Sequence, residues 1–106
     1  MHYKLVGHQA VPVNDLIEWA RWFETADLRV ALTELDLGTI STVFCARVYP
    51  AGRMMPALFE TMVFGGEHNE YQERYSTWDE AEAGHKRVVE MVRKSFTTGT
   101  DSGEET

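Results

Sequence analysis

The sequence predicts an α+β fold: a four-stranded antiparallel meander sheet with an N-terminal and a C-terminal helix, preceded by a short N-terminal β-hairpin. Two patterns indicate it. Apolar and polar residues alternate along four segments between residues 28 and 77, and hairpin-length connections join these segments in chain order. Residues 14–25 and 78–95 instead repeat apolar residues at helical spacing.

Length and composition favour one domain. A chain of 106 residues, 43% hydrophobic and 25% charged, has room for a single compact core. We assign residues 1–96 to a single α+β domain. The last residues are small, polar and acidic, and we predict a disordered acidic tail over 97–106.

The N-terminal part predicts a hairpin and a helix. Residues 3–6 and 10–13 are two short apolar runs around a turn that contains Gly7. Asn14 or Asp15 can cap a helix over 14–25, whose tryptophans and phenylalanine form one apolar face. These aromatic residues either anchor the helix to the sheet or form an exposed platform for a partner.

The four strands of the meander are predicted at residues 28–35, 39–49, 57–64 and 71–77. Asp36-Leu37-Gly38 and Gly65-Gly66 supply the tight turns. The segment 57–64 is apolar on both faces of the predicted strand except at Glu60, and this pattern is typical of a central strand covered on both sides.

The last helix begins with a clear signal. Thr77-Trp78-Asp79-Glu80 has the form of a capping box, and an apolar stripe follows that includes Ala81, Val88 and Val92. His85 falls on this stripe.

Charge and cysteine content exclude several classes of protein. The net charge is −7 and the basic residues are scattered, which argues against a nucleic-acid surface. The single cysteine, Cys45, allows neither an intrachain disulfide nor a Cys-based metal site. No apolar run is long enough to cross a bilayer. We therefore expect a cytoplasmic protein with no membrane partner, no metal and no cofactor.

Five short motifs of the sequence resemble those of a known family. They are W-A-R-W-F-E at 19–24, I-S-T-V-F at 40–44, L-F-E-T-M-V-F-G-G at 58–66, R-Y-S-T-W at 74–78 and E-A-E-A-G-H at 80–85. Together they resemble a family of small uncharacterised proteins common in bacteriophages and prophages, notably of actinobacteria. The resemblance implies a phage-type accessory protein and assigns no activity. Family members read something like G-L-D-H after S-T-V-F, whereas Arg47 and Tyr49 stand in that region here.

The polar residues that could carry chemistry depend on the pairing of the last two strands. If Phe64 pairs with Tyr71, Glu60 lies opposite Tyr75, and both can converge with His85 of the following helix. Such a cluster supports either general acid/base chemistry or a buried polar network between helix and sheet. In both cases we predict that Glu60 and His85 are coupled, because each needs a partner on an apolar surface.

We expect a small binding or interaction protein that acts on a host protein or a small ligand, as in counter-defence. Its candidate ligand-binding residues are Arg47, Tyr49, Arg74 and Trp78. The alternatives are a small hydrolase or transferase that uses Glu60 and His85, with Tyr75 or Arg74 positioning an anionic substrate, and a structural homo-oligomer such as a homodimer.

Overall fold

The computed structural model describes residues 2–46 and 57–105, with side chains described as far as Lys94. Its elements are β1 (His2–Val6), β2 (Gln9–Val13), α1 (Leu16–Thr25), β3 (Arg29–Leu35), β4 (Gly38–Phe44), β5 (Phe59–Phe64), β6 (Gln72–Tyr75) and α2 (Trp78–Glu105).

The α+β class and the antiparallel sheets are confirmed. β1 and β2 form a two-stranded sheet, while β3, β4, β5 and β6 form a four-stranded antiparallel sheet in chain order. β4 is built mainly from β-branched residues, which fit a pleated and half-buried surface. It ends at Phe44, and residues 47–49 of the longer predicted strand lie outside the described residues.

Both helices begin at side-chain caps. The carboxylate of Asp15 accepts hydrogen bonds from the backbone N–H of Ile17 at 3.0 Å and of Glu18 at 3.2 Å, so Asp15 rather than Asn14 is the cap and α1 starts two residues later than predicted. The capping box of α2 is confirmed: Glu80 N–H donates to Thr77 Oγ1, and Glu80 Oε1 accepts from Thr77 N–H, both at 3.2 Å.

α2 continues to Glu105, so the helix end predicted at residue 95 is wrong. The threonines and glycines that follow Phe96 are weak helix formers, and they led the sequence pattern to place the end too early. The disorder predicted for the tail at 97–106 stays a prediction.

The predicted pairing of β5 with β6 is wrong by one residue. In the structure Glu60 pairs with Arg74 and Phe59 with Tyr75. Close to the turn the pairing is irregular at Glu70, whose φ is +74°: Val63 O accepts from the N–H of Glu70 at 2.8 Å, and Val63 N–H donates to Tyr71 O at 3.0 Å. Glu70 and Tyr71 therefore both lie opposite Val63, and the regular pairing begins with Met62 and Gln72.

The core lies between α2 and one face of the four-stranded sheet. Along β5, Phe59, Thr61 and Val63 are buried on this side. At one end of the sheet β1, β2 and α1 complete the core, where Tyr3, Val13 and Trp19 join Phe44 and Phe59.

The opposite sheet face is not covered by the described helices, so the prediction that 57–64 is buried on both sides is wrong for the described residues. Phe64 is 52% exposed. We call this surface the open face; its side chains come from Arg29, Leu32, Glu34, Thr39, Ser41, Val43, Glu60, Met62, Phe64, Gln72 and Arg74.

Candidate functional site

The sequence-predicted pair of Glu60 and His85 does not come together. Glu60 lies on the open face, where Arg74 Nε donates to its Oε2 at 3.2 Å. His85 is 5% exposed and lies on α2, against the other face of the sheet. The one-residue shift of β6 also puts Tyr75 on the side of His85 rather than of Glu60. The predicted coupling of Glu60 with His85 is therefore wrong. The two side chains lie on opposite faces of the sheet and cannot act together on one substrate as acid and base.

His85 instead belongs to a continuous line of hydrogen bonds, which we call the polar chain. His85 Nε2 lies 2.9 Å from Thr33 Oγ1, and Nδ1 lies 2.7 Å from Thr42 Oγ1. Thr42 Oγ1 lies 2.5 Å from Thr61 Oγ1. Tyr75 Oη extends the chain, at 3.1 Å from Thr61 Oγ1 and 2.9 Å from Glu73 Oε1. The members, in spatial order, are Thr33, His85, Thr42, Thr61, Tyr75 and Glu73.

The carboxylate at the end of the polar chain sets the direction of its protons. Ionised Glu73 only accepts, so Tyr75 gives it the single phenol proton and must accept from Thr61. Thr61 in turn accepts from Thr42, and Thr42 accepts from the Nδ1–H of His85. This order leaves Nε2 of His85 as an acceptor for the hydroxyl of Thr33, and therefore defines a neutral imidazole with its proton on Nδ1.

Burial also favours the neutral imidazole, because desolvation lowers the pKa of His85 below its ordinary value of 6.5. At the other end of the chain, burial raises the pKa of Glu73, but hydrogen bonds from Tyr71, Tyr75 and Arg87 outweigh it and leave the pKa lowered. Burial, together with the neighbouring Glu73, raises the pKa of Tyr75 to about 12. Glu73 is thus held as the anion and Tyr75 as the neutral phenol.

The polar chain joins α2 to all four strands of the larger sheet. Thr42 and Thr61 have no exposed surface, and a substrate in solution does not reach them or His85. Gly84 makes the approach possible, because a Cβ there would lie only 2.3 Å from the ring of Tyr75. The sequence carried one signal that was missed: Thr33, Thr42 and Thr61 occupy positions of the inward-facing alternation of their strands.

A different arrangement surrounds Trp78. A cleft of about 500 Å³, here called the hairpin–helix cleft, lies between the β1–β2 turn and the start of α2. Its lining residues are His8, Gln9, Ala10, Leu58, Phe59, Ser76, Thr77, Trp78 and Asp79.

Trp78 provides an aromatic surface and a hydrogen-bond donor at this cleft. The imidazole of His8 stacks on the indole, with ring centroids 3.8 Å apart and planes 5° apart, and Phe59 meets the indole edge-on at 6.1 Å. The indole Nε1 is buried, and it has no hydrogen-bond acceptor among the described residues. The sequence pointed to Trp78 but not to His8, because the contact joins residues 70 positions apart.

Of the other three predicted ligand-binding residues, the structure describes Arg74. Arg74 lines a separate groove of about 440 Å³ between β6 and α2, together with Tyr75, Glu80 and Arg87. Its guanidinium is also paired with Glu60. Arg47 and Tyr49 lie outside the described residues. The structure therefore puts Trp78 and Arg74 in different depressions.

Comparison of the chain with protein-family models, curated proteins and solved structures finds no match in any of the three. Within residues 2–46 and 57–105, no helix has the length and apolarity needed to cross a membrane. In the same ranges, no three histidine, cysteine or carboxylate side chains are grouped so as to hold a metal ion.

Proposed function

We propose that the protein is a binding protein whose ligand is a small planar aromatic or heteroaromatic molecule that carries a hydrogen-bond acceptor. The observation that supports this most directly is the indole N–H of Trp78, a buried donor without an acceptor among the described residues at the wall of the hairpin–helix cleft. A buried unpaired donor lowers stability by about 1–3 kcal/mol, so a ligand acceptor placed there has a large effect on affinity.

The stacking of His8 on Trp78 indicates the shape of the ligand. An imidazole already lies flat on the indole, which shows that the site accommodates a planar ring at van der Waals distance. His8 is an exposed residue next to the β1–β2 turn, at which Gly7 has a φ of +64°. In the proposal the ligand ring takes the position of the imidazole. The indole N–H lies in the plane of the indole, so the acceptor is carried on a substituent that turns out of the plane of the ligand ring towards Nε1 of Trp78.

The size of the cleft favours a small molecule over a protein. Small-ligand sites usually have volumes of about 300–1,000 Å³, with mostly apolar walls and few polar groups. The hairpin–helix cleft, at about 500 Å³, combines Leu58, Phe59 and Trp78 with the hydroxyls of Ser76 and Thr77. The phage-type setting, a counter-defence role and a host protein as target rest on the motif resemblance and remain predictions.

The proposal can be tested by NMR of the indole N–H groups, since the chain has only three tryptophans. Nicotinamide, benzoate and uracil serve as planar probes, and cyclohexanecarboxylate is the non-planar control. We expect the planar probes to shift the Trp78 signal while those of Trp19 and Trp22 stay in place. Failure of every planar probe at millimolar concentration, or an equal response to cyclohexanecarboxylate, would refute the proposal.

Two variants separate the hydrogen bond from the stacking. Trp78→Phe keeps an aromatic surface and removes the N–H, so affinity for a responding probe should fall by roughly tenfold. His8→Ala removes the competing imidazole and should tighten binding. The matched control is His2→Ala, which removes an imidazole from the edge of Trp19, 4.5 Å away, and should leave binding unchanged.

A further inference from the structure

We propose that the open face is a dimer interface, on which two copies of this chain pack sheet against sheet. The proposal is independent of the hairpin–helix cleft, which lies on the α2 side. It depends on how side chains of the open face are ordered across the strands.

The strand register sorts the open face into three rows. The first row runs Arg29, Val43, Glu60, Arg74 across the four strands. The middle row runs Leu32, Ser41, Met62, Gln72. The third row runs Glu34, Thr39, Phe64.

Apolar side chains are concentrated in the middle and third rows. Leu32 is 38% exposed and Phe64 is 52% exposed, while Met62 is half-buried; the first row holds one apolar residue, the half-buried Val43. An antiparallel sheet with one solvated face normally alternates apolar and polar residues cleanly. β5 departs from this rule, because Met62 and Phe64 follow Glu60 on its outer side.

The first and third rows carry opposite unpaired charges on either side of the middle row. At the β3 edge the first row carries Arg29 and the third row carries Glu34. Both are exposed, and neither forms an ion pair with any described residue. Elsewhere in the first row, Glu60 and Arg74 already neutralise each other.

A two-fold axis parallel to the middle row satisfies these charges. It reverses the strand direction, so each strand lies over its equivalent and the first row of one copy faces the third row of the other. Arg29 then faces Glu34 of the partner subunit, and the same contact is repeated by symmetry. Leu32 and Met62 meet their own equivalents at the centre.

The other face-to-face arrangement is unfavourable. A two-fold axis parallel to the strands would put β3 over the partner's β6, with Arg29 facing the partner's Arg74. In that arrangement neither Arg29 nor Glu34 faces an unpaired opposite charge, so charge complementarity favours the first axis.

The size of the face predicts a weak dimer. Four strands about 4.8 Å apart, with three rows of side chains along them, present a patch of roughly 300–400 Å² per copy. The total buried area therefore falls at or below the low end for specific interfaces, and we expect dimers that form between micromolar and millimolar concentration.

The test is sedimentation equilibrium of the full chain from about 10 μM to about 1 mM, a range that brackets weak association. Arg29→Glu and Glu34→Lys should each weaken the dimer by roughly tenfold or more, because each creates two like-charge contacts. The double variant carrying both changes restores opposite charges across the axis, and its dimerisation should return to near the wild-type level.

Glu82→Lys is the matched control, since it makes the same charge change at an exposed position of α2. It should leave dimerisation unchanged. A wild-type chain that stays monomeric to 1 mM would overturn the proposal. A double variant no better than its single parents, or a Glu82→Lys effect equal to that of Glu34→Lys, would overturn it as well. Circular dichroism of each variant ensures that folded chains are compared.

Discussion

Replacing Gly84 by alanine should destabilise this protein, although the same change inside a helix normally stabilises it by about 1 kcal/mol. The added Cβ would lie 2.3 Å from Cε1, Cζ and Oη of Tyr75, so the ring must move. Overpacking of this kind lowers stability by about 1–3 kcal/mol. Displacing Oη also breaks its contacts with Thr61 and Glu73, at about 1 kcal/mol each. With the helix propensity subtracted, we expect a loss of about 2–4 kcal/mol.

Urea unfolding followed by circular dichroism measures this loss. The decisive comparison is the same substitution in a Tyr75→Ala background, where no ring is left to collide with the new methyl group. There Gly84→Ala should stabilise the protein by about 1 kcal/mol, which reverses its sign. Ala83→Gly, at the exposed neighbouring position, calibrates the helix propensity. If Gly84→Ala stabilises the wild-type chain, or acts with the same sign in both backgrounds, the close packing of Tyr75 on Gly84 is refuted.

Two further predictions concern the polar chain. Thr42→Val keeps the shape of the side chain but leaves the Nδ1–H of His85 without its acceptor, and it should lower the free energy of unfolding by about 1–3 kcal/mol. Thr39→Val, on the open face of the same strand, should change the free energy of unfolding by less than about 0.5 kcal/mol. Equal effects of the two substitutions would contradict the polar chain. Burial lowers the pKa of His85 from 6.5 in the folded state, so the unfolded chain binds a proton at a higher pH than the folded chain does. The contribution of His85 to stability is therefore complete above pH 6.5 and is lost as the pH falls through the lowered pKa of the folded state. Unfolding curves between pH 8 and pH 5 should show this fall in the wild-type chain and in His68→Ala but not in His85→Gln, and a pH-independent wild-type chain would contradict it.

Local sequence signals were sufficient for the class and for most of the elements. The alternation along β4, the cap at Asp15 and the capping box at Thr77 and Glu80 each act within a few residues, so their physical basis is present in the sequence itself. The hairpin-length turns likewise predicted a meander, and the sheet has that order.

The site was decided by tertiary structure. The pairing of β5 with β6 differs by one residue from the predicted register, so Arg74 shares the open face with Glu60 while Tyr75 lies on the inner face with His85. The hydrogen-bond partners of His85 are Thr33 and Thr42, which lie more than 40 positions away in the chain. The sequence by itself established that His85 would lie on a buried stripe and need a partner. Which partner it found depended on the packing of α2 against β3 and β4, which brings together residues that are far apart in the chain.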